Sequence, residues 1–206
     1  MNDTWTHAAA RWMVRPLVGT GVTPNHLTTL RLITGVAACI GIALGAPAGA
    51  AWGGALWLAS AFLDRADGEL ARIGNMMSAA GHRYDYQVDL WVNSAFFLAA
   101  GVGLRHSWLG PSAPLVGFEA AMAMVACCWL SEVYEKLSGP GVRIWNGGFG
   151  FHLDDALYLL APIVWLGWLA PILVAAAVCS TLMAGVILVR YLGLRRRLHR
   201  VAAAGA

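Results

Sequence analysis

Four aspartates, Asp64, Asp67, Asp85 and Asp89, fall in one stretch of a chain that otherwise runs through long apolar segments. Asp64, Asp67 and Ala71 are three and four residues apart and share one face of a helix. Asp85 and Asp89 share a face of a second helix. Between the pairs lie Gly74, Asn75 and a run of small and polar residues reaching Gly81. Two helices joined by such a bend bring all four carboxylates to one point. Carboxylates crowded beside a membrane repel one another and are costly unless cations neutralise them. Every candidate ligand is an oxygen, so the pattern predicts a site for hard divalent metal, Mg²⁺ or Mn²⁺.

The setting of these acids is a membrane. Of 206 residues 59% are hydrophobic and 12% charged, about half the charge usual in a soluble domain. The expected fold is an all-α integral membrane protein of one domain, residues 1–206, with an interfacial amphipathic helix in 1–22 and a six-helix transmembrane bundle in 23–200. Asp3 or Thr4 caps a short helix running to about Leu17. Trp5, Trp12 and Met13 with Ala8 and Ala9 give it an apolar side, and Arg11 and Arg15 stand one turn apart, a pattern suited to an anionic leaflet. Pro24 marks a break, and spans follow from about His26, Ala51, Arg83, Leu115, His152 and Pro171, the last ending in the basic tail Arg190 to Arg200. A span needs ~20 residues, so the second helix continues through Asp64 to Arg72. Arg11, Arg15, Arg65, Arg72, Arg83, Lys136, Arg143 and Arg195 to Arg197 fall on one side, and Arg105 on the other. The positive-inside rule places the aspartates and both termini at the cytoplasm of a bacterial-type plasma membrane. Trp108, Trp165 and Trp168 suit the far aromatic belt and Trp145 the near one.

Several classes are set aside by the same reading. No nucleic-acid motif is present, the net charge is only +3, and the basic residues sit beside apolar spans, where lipid headgroups are their neighbours. Cys39, Cys127, Cys128 and Cys179 lie in apolar runs without CxxC spacing and read as membrane thiols. The first residues lack a secretory leader, so the first span is expected to stay as an anchor.

The segment Asp64-x-x-Asp67-Gly68-x-x-Ala71-Arg72, followed by Gly81-x-x-x-Asp85-x-x-x-Asp89, resembles the signature of the CDP-alcohol phosphotransferases, with every fixed position present. Thr23-Pro24-Asn25-His26-Leu27-Thr28-Thr29-Leu30-Arg31 resembles that family's entry into its first membrane helix. The resemblance implies transfer of a substituted phosphate from a CDP-linked donor, CDP-diacylglycerol first, to a small alcohol acceptor with release of CMP, in phospholipid biosynthesis. A homodimer is also implied. Two divalent ions would neutralise the pyrophosphate and the leaving oxygen, with Asp64, Asp67 and Asp85 as ligands. Asp89 follows the family pattern as general base, also within reach of the second metal. By resemblance Gly68, Ala71 and Gly81 line the cytidine pocket, Arg72 meets the donor, and Asn25 and Thr28 reach the nucleotide. Tight helix packing also accounts for Gly68 and Ala71, and helix capping for Asn25 and Thr28.

Ser131, Lys136 and Arg143 are candidates for the acceptor pocket, with a solvated loop as the other reading. His152, Asp154 and Asp155 do not share a helix face and read as a cap favoured by the helix dipole. His82 and Arg83 read as interfacial, and Glu132 and Glu135 as waterside charges. Two further functions fit the composition. The same chemistry can run with a soluble CDP-alcohol donor and a lipid acceptor. A divalent-cation transporter would want these acids near the midplane, whereas they fall at the cytoplasmic edge.

Overall fold

The computed structural model describes residues 5–139 and 156–204, and among these the regular elements are all helical. They are α1 (Trp5–Val14), α2 (Pro24–Ala43), α3 (Pro47–Ile73), α4 (Ala79–Gly103), α5 (Ala113–Ser138), α6 (Ala156–Trp165) and α7 (Leu169–Ala204), with short 3₁₀ turns at Arg15–Leu17, Leu104–His106 and Gly110–Ser112. Asp3, Thr4, Arg143, Trp145, His152, Asp154 and Asp155 lie outside the described residues.

Proline and capping chemistry set where the helices begin. Pro24 and Pro47 occupy the first turns of α2 and α3, where the missing N–H is not needed. Thr23 caps α2 in a box with His26, whose Nδ1 accepts from the Thr23 N–H at 3.2 Å. Ser78 caps α4, its hydroxyl accepting from the Gly81 N–H at 3.0 Å. That cap starts α4 at Ala79, a full turn before the expected Arg83. Asp85 is therefore in the second turn. The last apolar span, Leu169–Leu198, ends within the basic tail, while the helix itself continues to Ala204.

Four helices are long and apolar enough to cross a membrane: Pro24–Ala43, Ala79–His106, Gly110–Ser138 and Leu169–Leu198. The chain is an integral membrane protein. α3 is of comparable length, but its C-terminal end carries the acidic stretch. Large apolar side chains such as Ile40, Trp52, Trp91, Trp129, Leu182 and Val189 point outward, as a lipid-facing surface requires.

The core lies where α2, α3, α4, α5, α6 and α7 meet. Trp57 and Phe96 pack there with ring centroids 4.3 Å apart, among Val92, Ala38, Ala100, Ala161 and Leu173. α6 is fastened to α3 by side chains that satisfy backbone carbonyls. The Trp57 indole N–H donates to Leu157 O at 2.9 Å, the Tyr158 hydroxyl to Ala61 O at 3.0 Å, and the Trp165 indole N–H to Ala51 O at 3.1 Å. Trp165 thus has a packing task besides its expected place in the aromatic belt. The four cysteines are free thiols, with Cys39 buried and Cys179 exposed.

α1 packs on α3 through Thr6, Ala10 and Val14, which are buried, while Trp12 and Met13 are exposed. Val14 joins Ala66 and Leu70 in a second small core. Trp12 and Met13 form an outward apolar pair, and Arg11 turns to an acid of α3.

Glycines bring backbones together at two seams. A methyl group on Gly53 would stand 2.8 Å from Ile42 Cγ1 and 3.0 Å from Ala38 O, across the α2–α3 contact. One on Gly117 would stand 2.5 Å from Phe97 O and 2.9 Å from Gly101 Cα, across the α4–α5 contact. Small residues at such crossings are what membrane helices use to approach. Gly117→Val is expected to lower thermal stability by about 3 kcal/mol, the upper end for overpacking because the obstacle is backbone. Gly185→Val, with open space around it, should leave the midpoint in detergent unchanged. Equal midpoints for both variants would refute the seam.

Candidate active site

The end of α3 and the start of α4 are joined by a turn of a few residues, Gly74 to Ser78, in which Asn75 takes φ +53°. Asn tolerates this left-handed conformation better than most side chains. The turn sends α4 back beside α3, and both helices pack on α2, which turns their acids toward one point. One oxygen each from Asp64, Asp67 and Asp85 lies within 4.8 Å of the other two. The all-oxygen donor set suits a hard divalent cation, so the residues present fit the ion that the acid spacing predicts.

Helix α2 supplies the partners. The Thr28 hydroxyl donates to Asp67 Oδ2 at 2.5 Å and lies 3.1 Å from Pro24 O. Arg31 is 2% exposed. Its guanidinium reaches Asp64 Oδ1 at 2.6 Å and Asp85 Oδ1 at 3.4 Å, and also Asp89 Oδ1. Asp89 thus lies beside the three-carboxylate group, bonded to Arg31 one helical turn beyond Asp85.

Two cavities meet at these acids. The first, about 470 Å³, is lined by Asn25, Thr28, Asp67, Gly68, Ala71, Arg72, Gly81 and Asp85, with Met76, Met77 and Ser78 among its other walls. All six residues expected to touch a nucleotide donor face this one space. A methyl group on Gly81 would come within 3.0 Å of Ser78 Oγ and 3.3 Å of Asn25 Oδ1, so the missing side chain keeps this wall open. The second cavity, about 330 Å³, lies on the other side of Asp67 and Asp85 and adds Asp64, Asp89, Tyr86, Asn93 and Cys128. Arg72 and Gly68 border both.

A third cavity of about 600 Å³ lies between α4, α5 and α7 and is mostly apolar. Ser131 lines it with His82, Arg83, Glu132 and Glu135, and it shares Tyr86 and Cys128 with the second. Lys136 is not among its lining residues and pairs with Glu132 at 2.5 Å. Of the three acceptor candidates, Ser131 therefore faces a cavity, Lys136 is held on an exposed ion pair, and Arg143 lies outside the described residues.

Two buried charges were not singled out from the sequence. Arg31 appeared there only as part of the entry to α2, although a lone cation within an apolar span is itself a signal. Glu69 is 1% exposed on the face of α3 turned to α1. It accepts from His7 Nδ1 at 2.8 Å and Arg11 Nε at 2.9 Å, and also pairs with Arg72. His7 Nε2 accepts from Arg65 at 3.2 Å. Arginine is donor-only, so the Nε2 that faces Arg65 accepts and the Nδ1–H donates a hydrogen bond to Glu69. The i, i+4 spacing of His7 and Arg11 was the available clue.

Comparison with known proteins matches the chain in sequence family and in fold. The family model for CDP-alcohol phosphatidyltransferase matches residues 21–139. The chain is 28% identical over 182 residues to the bifunctional IPC transferase and DIPP synthase of Aquifex aeolicus (strain VF5), covering 87% of this chain and 40% of that one. It thus spans about two fifths of that relative's length. The fold is similar to the crystal structure of Mycobacterium tuberculosis phosphatidylinositol phosphate synthase with CDP-DAG bound. There the TM-score is 0.61 at 18% identity, over 95% of this chain and 92% of that one.

Removing Glu69 would leave His7, Arg11 and Arg72 around an empty place. Glu69→Ala is expected to cost about 3 kcal/mol and to free α1 from α3, seen as faster proteolysis at the N-terminal segment. Unchanged midpoint and unchanged cleavage would show that the network carries no load.

Proposed function

The chain belongs to the CDP-alcohol phosphatidyltransferase family, and we propose that it moves a phosphatidyl group from CDP-diacylglycerol to a small alcohol, releasing CMP. The observation that carries this reading is the shared wall of the first two cavities. Asp67, Gly68, Arg72 and Asp85 border both, so a nucleotide in one and an acceptor hydroxyl in the other meet at the acids. The CDP-DAG bound to the structurally similar mycobacterial enzyme supports this choice of donor.

Asp64, Asp67 and Asp85 would hold two divalent ions, Mg²⁺ or Mn²⁺. Bound there, the metal supplies charge neutralisation for the pyrophosphate and for the departing CMP oxygen. Asn25, Thr28 and Arg72 bind the nucleotide and its phosphates, while Gly68, Ala71 and Gly81 let the base approach the backbone. Asp89 lines the second cavity and takes the acceptor proton as general base. The acceptor oxygen forms a bond to the phosphatidyl phosphorus, and the bond from that phosphorus to CMP breaks with its electron pair leaving on CMP. Ser131, Lys136 and Arg143 belong to the acceptor side in this reading.

In the membrane the six spans are α2, α3, α4, α5, the stretch from about His152 to Trp168 that contains α6, and α7, and α1 lies at the interface, with Trp12 and Met13 outward. The acid site and both termini face the cytoplasm of a bacterial plasma membrane, because the arginines of the site end outnumber Arg105 at the opposite one. The protein works as a homodimer through a small-residue face of α4, α5 or α7.

The test is CMP release by purified protein with Mn²⁺ or Mg²⁺ and CDP-diacylglycerol, offering glycerol 3-phosphate, inositol, inositol phosphate, serine, ethanolamine and choline singly. One alcohol should support turnover, reduced at least about 100-fold in Asp89→Asn and abolished in Asp67→Asn. Turnover only with a soluble CDP-alcohol and a lipid acceptor would reverse the donor and acceptor. Silence with both sets, in folded protein that binds metal, would sink the transferase assignment for this chain.

A further inference from the structure

Arg31 stands inside the acid cluster rather than at its edge. It projects from the second turn of α2 and is 2% exposed. It contacts Asp64, Asp85 and Asp89, each through Oδ1. Its Nε has no hydrogen-bond partner among the described residues, so the side chain is held by the carboxylates alone. Guanidinium does not shed its proton in a protein, and a buried cation without counter-charge is strongly unfavourable. Its backbone is fixed too, since the Ser60 hydroxyl donates to Arg31 O at 3.0 Å. Four aspartates carry a formal −4 and Arg31 adds +1, which leaves −3 at a cluster spanning α3 and α4.

We propose that Arg31 is a resident counter-cation of the acid site. In the metal-free protein it holds Asp64, Asp85 and Asp89 together, doing part of the neutralisation that a divalent ion does when bound. Because it stays within contact of two carboxylates that would hold that ion, it also opposes the ion electrostatically. Arg31 therefore sets metal affinity below what the acids alone would reach, and it keeps the site assembled when metal is absent. A residue that merely oriented the ligands would act in the opposite sense, since loss of such a partner weakens metal binding. The inference rests on the metal reading above, while its stability half concerns the metal-free protein.

The experiment is Mn²⁺ titration of the purified protein followed by the electron paramagnetic resonance of free Mn²⁺, with thermal midpoints measured with and without Mn²⁺. In Arg31→Gln the metal-free midpoint falls, Mn²⁺ binds roughly tenfold tighter, and Mn²⁺ raises the midpoint more than in the wild type. Arg31→Lys keeps the charge and should stay within about threefold of wild-type Mn²⁺ affinity. The double variant Arg31→Gln with Asp89→Asn removes one charge of each sign and regains most of the metal-free midpoint. Mn²⁺ affinity that is unchanged or weaker in Arg31→Gln overturns the proposal, as does an equal loss of midpoint with and without metal. Failure of both the single and the double variant to fold in saturating Mn²⁺ also overturns it, because charge would not then be what the residue supplies. Wild-type protein that binds no Mn²⁺ defeats the metal reading itself, an outcome separate from the others.

Discussion

Repulsion among like charges is the constraint around which this bundle is built. Carboxylates from two helices are held close at one end of an otherwise apolar structure, and part of the opposite charge comes from within the protein. Helix α2 answers that need. It places the Thr28 hydroxyl on Asp67 and the Arg31 guanidinium on the other three. For this α2 must lie close to both acid-bearing helices. Gly35 permits the approach on one side, since a methyl group there would stand 2.6 Å from Val92 Cγ1 and 3.0 Å from Ser60 Oγ. Electrostatics at one end of the helices and steric clearance along their length are two parts of one arrangement.

Helix α3 has a second charged face. Glu69 points away from the acid cluster toward α1, where His7 and Arg11 meet it, and Arg72 joins from one turn further along α3. Arg72 also borders both the nucleotide-sized cavity and the one beside it. The segment ahead of the first long helix is thereby tied to a side chain of the site. A buried carboxylate with three basic partners is satisfied only while α1 stays docked, so the small core of Val14, Ala66 and Leu70 and this network support each other.

Much of the site was legible from spacing. Asp64, Asp67 and Ala71 share a helix face because of the period of the helix, and Gly68, Ala71 and Arg72 fall on one cavity for the same reason, while Gly81 joins them from α4 across the turn. What could not be read were the partners. Arg31 and Glu69 take their meaning from helices distant in sequence, and a pattern of three and four residues reports only on neighbours within one element. Helix ends were harder still. Ser78 caps α4 ahead of the expected start, and α7 runs on through its arginines because nothing in that tail breaks a helix. The acceptor side was least accessible: Lys136 pairs with Glu132 on its own helix, a local contact that competes with any role facing the cavity.

The glycine seams carry a consequence for how this sequence can drift. At most lipid-facing positions a substitution is judged by polarity, since bulk is free to spread into the acyl chains. Where Gly53 meets the backbone of α2, and Gly117 that of α4, the order is reversed. Size is what the neighbouring chain detects, and a hydroxymethyl group would be refused less firmly than an isopropyl one. Variation in this protein should therefore follow two separate rules, hydrophobicity on the outer faces and volume along the crossings, with neither predicting the other.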